Sequence, residues 1–124
     1  MRVLNIGSIN TDHVYEVDHF ARPGETLDSL SYRIFAGGKG FNQSIALARA
    51  GAITLHAGKV GKDAAWLLMR LKQEGVDTTH IVVGEATTGH AIIQVVPGGD
   101  NAIVLCGGAN RQISEADVTS ALSY

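Results

Sequence analysis

Two hydrophobic periods alternate along the chain. Val3 to Gly7 (VLNIG) is a short apolar run that breaks into the polar stretch SINTDH, which reads as a buried strand followed by a loop. VYEV at 14–17 alternates and predicts a short strand. RPGET at 22–26 is a turn, since proline fixes φ and the glycine after it tolerates a positive φ. Residues 26–35 alternate imperfectly, as a strand with one polar face and a bulge would. From Gly40 to Ala50 the period lengthens: Phe41, Ile45, Leu47 and Ala48 fall on a helical stripe, which Gly51 closes. AITLHAG predicts a second strand of the parallel type. KDAAWLLMRLKQEG predicts a second helix with Asp63 as its cap and Gly75 as its stop, and HIVVG a third strand. GHAIIQVV and NAIVLCG, joined by PGGD, form a hairpin. ISEADVTSALSY opens a third helix with a capping box from Ser114 and Asp117.

Strand, helix, strand, helix, strand is the rhythm of an α/β fold with a parallel sheet and flanking helices. The strands at about 14–17, 26–35 and 90–106 fall outside that rhythm and predict a small, separate β-sheet laid against the α/β part. Three parallel strands make a small core, and parallel sheets are covered on both faces. We therefore expect residues 1–124 to be the N-terminal part of a longer fold.

Composition narrows the classes. With 45% hydrophobic and 18% charged residues, the 124-residue chain is globular. A net charge of −2 and the lack of a Lys/Arg cluster give no footprint for nucleic acid. No apolar run approaches the roughly 18 residues of a membrane span or the pattern of a secretion signal. Cys106 is the only cysteine, which suits a reducing, cytoplasmic setting, and the five histidines show no zinc-ligand spacing.

The chemistry concentrates in FAGGKGFNQS, 35–44. A phosphate-binding P-loop does not fit, because Arg33 stands where its first glycine belongs and Gly40 follows Lys39. A dinucleotide fingerprint after the first strand fails as well, with Ile9 and Asp12 at glycine positions. Two readings remain open on spacing alone. One is a plain strand-to-helix turn. The other is a ligand cradle made of helix-start amides, with Asn42 one turn in. The loop after the first strand adds Asn10 and Asp12. A carboxylate accepts from two adjacent hydroxyls and an amide both donates and accepts, an inventory that suits a sugar. Taken alone, Asp12 could equally cap a turn.

GGKGFNQSIALARAGAITLHAGKVG resembles the N-terminal signature of the ribokinase-like (PfkB) carbohydrate kinases, through Gly37, Gly38, Gly40, Asn42, Ser44, Gly51 and Gly61. GSINTD, RPGET, GKVGKD, EGVDT, TTGHAII and GGAN follow in the family's order. Within the family the pattern is most similar to the ribose-phosphorylating members, with other sugars and nucleosides as alternative substrates. The resemblance implies ATP- and Mg²⁺-dependent phosphorylation of D-ribose, with a monovalent cation as a further requirement in some members. It implies sugar contacts from Asn10, Asp12, Gly38, Lys39, Gly40 and Asn42. The small β-sheet would form a lid over the sugar, from which Ala91 and Ile93 would press on the ring, and two lids would pair into a homodimer. There are departures. Trp66 stands where the family has glycine, and this segment is about two residues short. The family's catalytic aspartate, in a Gly-Ala-Gly-Asp motif, and its ATP pocket match nothing in these 124 residues, so the chain alone is expected to be inactive. A non-catalytic sugar-binding or dimerisation module and a nucleotide-binding module are the rival readings.

Overall fold

The computed structural model describes residues 1–123. Strands β1 (Arg2–Ile6), β4 (Ile53–Val60) and β5 (Asp77–Val83) form a parallel sheet in the order β1-β4-β5. Helix α1 (Lys39–Arg49) packs on β4 and β1, and α2 (Ala65–Gln73) on β5. Alternation along β4 divides its partners. Thr54 and His56 face α1, whereas Lys59 reaches α3 (Glu115–Leu122) on the opposite side, where its Nζ donates to Asp117 at 3.4 Å and to the Gln112 carbonyl at 3.1 Å. The parallel sheet is thus covered on both faces, as its near-continuous burial along β4 requires.

The core lies between α1, α2 and the sheet. Phe41 and Ile45, one turn apart on α1, meet Leu67 and Leu71, one turn apart on α2, with Ile9, Val60, Val76 and Ile81 around them. Gly51 and Gly75 follow the two helices with φ of +98° and +85°, ending each as the sequence predicts. The capping box at Ser114 and Asp117 is also present. The third helix was expected to run to Tyr124, which lies outside the described residues.

The remaining strands build a second, four-stranded sheet. β2 (Asn10–Glu16) sits between β3 (Ser31–Gly37), antiparallel, and β6 (Gly89–Val95), parallel, and β7 (Asn101–Cys106) pairs with β6 on the outside. The three chain crossings between the two sheets, and the exit of the chain from β7, all occur at one end of this second sheet. β1 enters it through 7–9, β3 leaves it through Gly38, β5 enters through 84–88, and β7 leaves through Gly107 into a 3-10 helix, Gly108–Gln112. The register marks that end: Asn10 pairs with Gly37 and Gly89, and His90 with Cys106.

Three expectations are corrected. The first concerns 8–13, expected as a loop, and the strand placed at 14–17. Asn10 already starts β2, which is a central strand hydrogen-bonded on both edges. Asn10 and Asp12 on one of its faces line a cavity, and this polar start mimics a loop. The second is β3, which runs over Ser31–Gly37 and not over 26–35; residues 26–30 form no strand. The third is Asp63, which does not cap α2. That helix starts at Ala65 without a side-chain cap, and the Asp63 carboxylate instead accepts from the hydroxyl of Thr88 at 2.6 Å and from its N–H at 3.3 Å.

Thr88 is buried and its hydroxyl oxygen also accepts from the Gly61 N–H at 2.9 Å. This one side chain ties the entry to β6 to the end of β4. Thr88→Val keeps the shape but orphans the Gly61 donor, so we expect a loss of about 1–3 kcal/mol in urea unfolding. An unchanged midpoint would show that the link carries no stability.

Candidate functional site

The junction between the two sheets encloses a cavity of about 600 Å³. One wall is the end of β1 and the start of β2, with Ser8, Asn10 and Asp12. The second is the glycine turn and first turn of α1, with Gly38, Lys39 and Asn42. The third is the lid, with Ala91 and Ile93 on β6 and Ile103 and Leu105 on β7. The pleat explains the lid wall. Asp12, Ala91 and Leu105 stand in one cross-strand row, and Val14, Ile93 and Ile103 in the next row on the same face. Of the residues singled out in the sequence, Asn10, Asp12, Gly38, Lys39, Asn42, Ala91 and Ile93 meet around this one space.

Gly40 is the exception, buried beneath the turn and not on the cavity wall. A Cβ there would lie 2.6 Å from Gly7 Cα, and one on Gly7 would lie 2.8 Å from Gly40 Cα. Only two glycines permit that approach. The helix-start amides are partly spoken for as well. Phe41 N–H donates to the Ser8 carbonyl at 2.9 Å, and Gly40 N–H points at Ser8 Oγ at 3.5 Å. The turn therefore presents side chains to the cavity more than the bare ring of amides that the sequence suggested. Gly38, at φ +99°, caps α1 with its Cα against the Ser8 carbonyl, where a Cβ would stand 2.7 Å away.

The Asp12 carboxylate has no hydrogen-bond partner among the described residues. Its carboxylate packs over Gly37, where any Cβ would meet the carboxylate carbon at 2.9 Å. Burial holds the carboxyl above its ordinary pKa, and the charge of neighbouring His13 only partly offsets this. Across the cavity, Lys39 and Arg111 make no ion pair among the described residues. Asn42 also borders a second hollow of about 450 Å³ with Arg49 and Arg70, but both arginines pair there with Glu74.

Over residues 2–123 the chain matches the model of the pfkB family carbohydrate kinases. The chain belongs to that family. It is 48% identical over 113 residues to the ribokinase of Haemophilus influenzae, covering 89% of this chain and 37% of that protein. Its fold superposes on the ribokinase of Cryptococcus neoformans var. grubii serotype A in complex with ADP with a TM-score of 0.82 and 41% identity, over 87% of this chain and 35% of that one. The ribokinase of Arabidopsis thaliana complexed with ribose and ATP gives a TM-score of 0.79 and 28% identity, over 95% and 41% of the two chains. This pfkB chain thus spans about two fifths or less of the length of these relatives.

The sequence reading missed Asn110. Its Nδ2 donates to Asn10 Oδ1 at 2.6 Å and to the Ile9 carbonyl at 3.2 Å, while its Oδ1 accepts from the Ile9 N–H at 3.0 Å. A residue a hundred positions away therefore clamps the start of β2 and fixes the Asn10 side chain, whose NH₂ remains available to donate. The signal was present in the pfkB-like GGAN, but its role depends on a long-range contact that spacing does not reveal. Trp66, the departure from the family pattern, sits partly exposed in the first turn of α2 and does not line the cavity.

The raised pKa of Asp12 has a stability consequence. Its ionised form is disfavoured in the folded chain, so the penalty is fully present above the folded pKa and absent below the unfolded value of 3.8. Asp12→Asn should raise the melting temperature at pH 7, with the gain shrinking as the pH approaches 3.8. Calorimetric scans at several pH values check this, and a lowered melting temperature at pH 7 would contradict it.

Proposed function

We propose that the cavity is the sugar site of a ribokinase-type kinase, and that residues 1–124 are the N-terminal, sugar-binding and lid portion of that kinase. The observation that carries the reading is the partnerless, partly desolvated carboxylate of Asp12 facing Lys39 and Asn42 across one polyol-sized space. Asp12 accepts hydrogen bonds from two adjacent hydroxyls. Asn10, its oxygen engaged by Asn110, donates to another. Lys39 and Asn42 reach hydroxyls from the opposite wall, Gly38 lets the ring approach the backbone, and Gly40 supports the turn from below. Ala91 and Ile93 press on the apolar face of the ring. Ribose is the preferred sugar, supported by the similarity to ribokinases and by the Arabidopsis relative complexed with ribose.

Family membership implies ATP and Mg²⁺, with a monovalent cation as a further possibility. The described residues do not supply a site for them. No group of three or more His, Cys, Asp or Glu among them could hold a metal ion, and the cavity's donor set is that of a polyol. This chain's part in phosphoryl transfer is to bind and orient the accepting sugar, while the base and the phosphate-binding groups lie elsewhere. The exposed thiol of Cys106 suits a reducing cytoplasm, and no helix among the described residues is long and apolar enough to cross a membrane.

The outer face of the lid supports a homodimer. Alternation turns Ile34, Ile92 and Val104 away from the cavity, where they form an exposed apolar row with His13. β3 and β7 are also free edges.

Isothermal titration of the chain with ribose should give saturable heat, and NAD none. Asp12→Asn should weaken ribose binding by about tenfold or more, the worth of hydrogen bonds to a charged group. A coupled ADP-release assay should show no turnover. Absence of ribose heat removes the sugar-site reading, and clear turnover removes the division of labour. Sedimentation equilibrium should show a dimer that Val104→Glu converts to monomer; a monomeric parent chain rules out lid pairing.

A further inference from the structure

Behind the glycine turn lies a polar group of side chains that the sugar site does not touch. His56 and Ser44 are fully buried, and the buried side of Asn5 joins them. The direction of every bond in this group is forced. His56 Nε2 lies 3.1 Å from the Gly7 carbonyl, which can only accept, so Nε2 carries the hydrogen. Nδ1, 2.6 Å from Ser44 Oγ, then accepts from the Ser44 hydroxyl in the neutral ring. Ser44 Oγ in turn accepts from Asn5 Nδ2 at 2.9 Å, and the second Nδ2 hydrogen goes to the Gly40 carbonyl at 2.9 Å. Every link is satisfied by one tautomer and one rotor. Burial favours that neutral state, holding the His56 pKa below its ordinary value against the opposing bond to Gly7.

The two ends of this chain of bonds are the carbonyls of Gly7 and Gly40, the two residues whose backbones touch. We propose that Asn5, Ser44 and His56 are positioning residues that act as one unit, clamping the Gly7–Gly40 contact and so fixing the first turn of α1 at the cavity wall. The turn's own bonds are few. Phe41 N–H reaches the Ser8 carbonyl at 2.9 Å and Asn42 N–H the Gly38 carbonyl at 3.0 Å, and no side chain caps the helix. The clamp holds the turn from behind by donating to its carbonyls, where a capping side chain would accept from its N–H groups in front, and it leaves the cavity side open for a ligand. Ser8 and Lys39, on either side of the clamped pair, both line the cavity. Its bearing on sugar affinity rests on the sugar-site reading; the clamp itself does not.

Backbone hydrogen exchange on the chain, read residue by residue by NMR, tests the clamp without any ligand. Ser44→Ala leaves an imidazole acceptor and an amide hydrogen unpaired. It should speed exchange of the Phe41 and Asn42 amides about tenfold more than that of amides in α2 and β5. Thr54→Val is the control: Thr54 is buried on the same strand but bonds only the Ala52 carbonyl, so it should not single out the turn. A uniform rise in exchange across the chain in Ser44→Ala, or no rise at the turn, overturns the proposal. Should that variant fail to fold, long-range ¹H–¹⁵N spectra of the parent chain at pH 7 decide, since only the neutral Nε2–H form of His56 fits. With ribose, Ser44→Ala should bind about tenfold more weakly than the parent. If the parent gives no ribose heat while the exchange pattern appears, the clamp stands and the sugar site falls.

Discussion

Two glycines in backbone contact set the geometry on which the site depends. Where Gly7 follows β1 and Gly40 lies in the first turn of α1, no Cβ fits on either side. That contact brings the start of α1 onto the end of a parallel strand, closer than helix and sheet layers approach through side chains. The consequence is positional. Residues just beyond each glycine, Ser8 to Asp12 on one branch and Lys39 to Asn42 on the other, are held facing one another. A larger residue at either glycine would push the two walls apart and lengthen every hydrogen bond that a ligand makes to both.

The second sheet completes the enclosure through its connections. The three crossings between the sheets and the exit from β7 lie at one end of it, and long-range bonds bind that end together. Asn110 grips Ile9 and Asn10 there, and Thr88 grips Gly61 and Asp63. The far end carries the long 17–30 connection and the hairpin turn after β6, with Gly98 and Gly99 at positive φ. The sheet is therefore anchored along one edge and free along the other. Its inner face is mostly apolar, relieved by Asp12, and β7 is exposed along its whole length. A sheet of this kind suits a cover for the cavity, as proposed, better than it suits an independent layer.

The parallel sheet, the three helices and the lid were legible because each rests on local periodicity. Phe41 with Ile45 and Leu67 with Leu71 announce helices by spacing, and Gly51, Gly75 and the Ser114 box announce ends. The glycine turn and Asp12 were legible as candidates through their residue types and the pfkB-like pattern. What failed did so where a tertiary partner outweighs the local signal. Asn10 to His13 look like loop because Asn10 and Asp12 are polar on the face that meets a cavity; Asp63 looks like a cap because the buried Thr88 is far away in sequence. Asn110 and the Asn5–Ser44–His56 group depend wholly on contacts across 12 to 101 residues, which no periodicity encodes.

The polar groups near the turn fall into two kinds, and the difference is instructive. Asn5, Ser44 and His56 are buried and fully bonded, so their desolvation is compensated within the fold. Asp12 is partly desolvated and uncompensated, so the fold bears its cost. A chain selected for stability alone would give Asp12 a donor, and Lys39, on the wall of the same cavity, is a donor of the right charge; yet the two form no ion pair. Had they paired, the carboxylate would be quenched and the cavity closed to a polyol. Their separation across the space, with Asn42 beside Lys39 on the opposite wall, leaves acceptor and donor both unspent for the polyol proposed above. The stable network behind the turn and the unsatisfied carboxylate in front of it thus belong to one arrangement, in which rigidity on the buried side permits an open valence on the other.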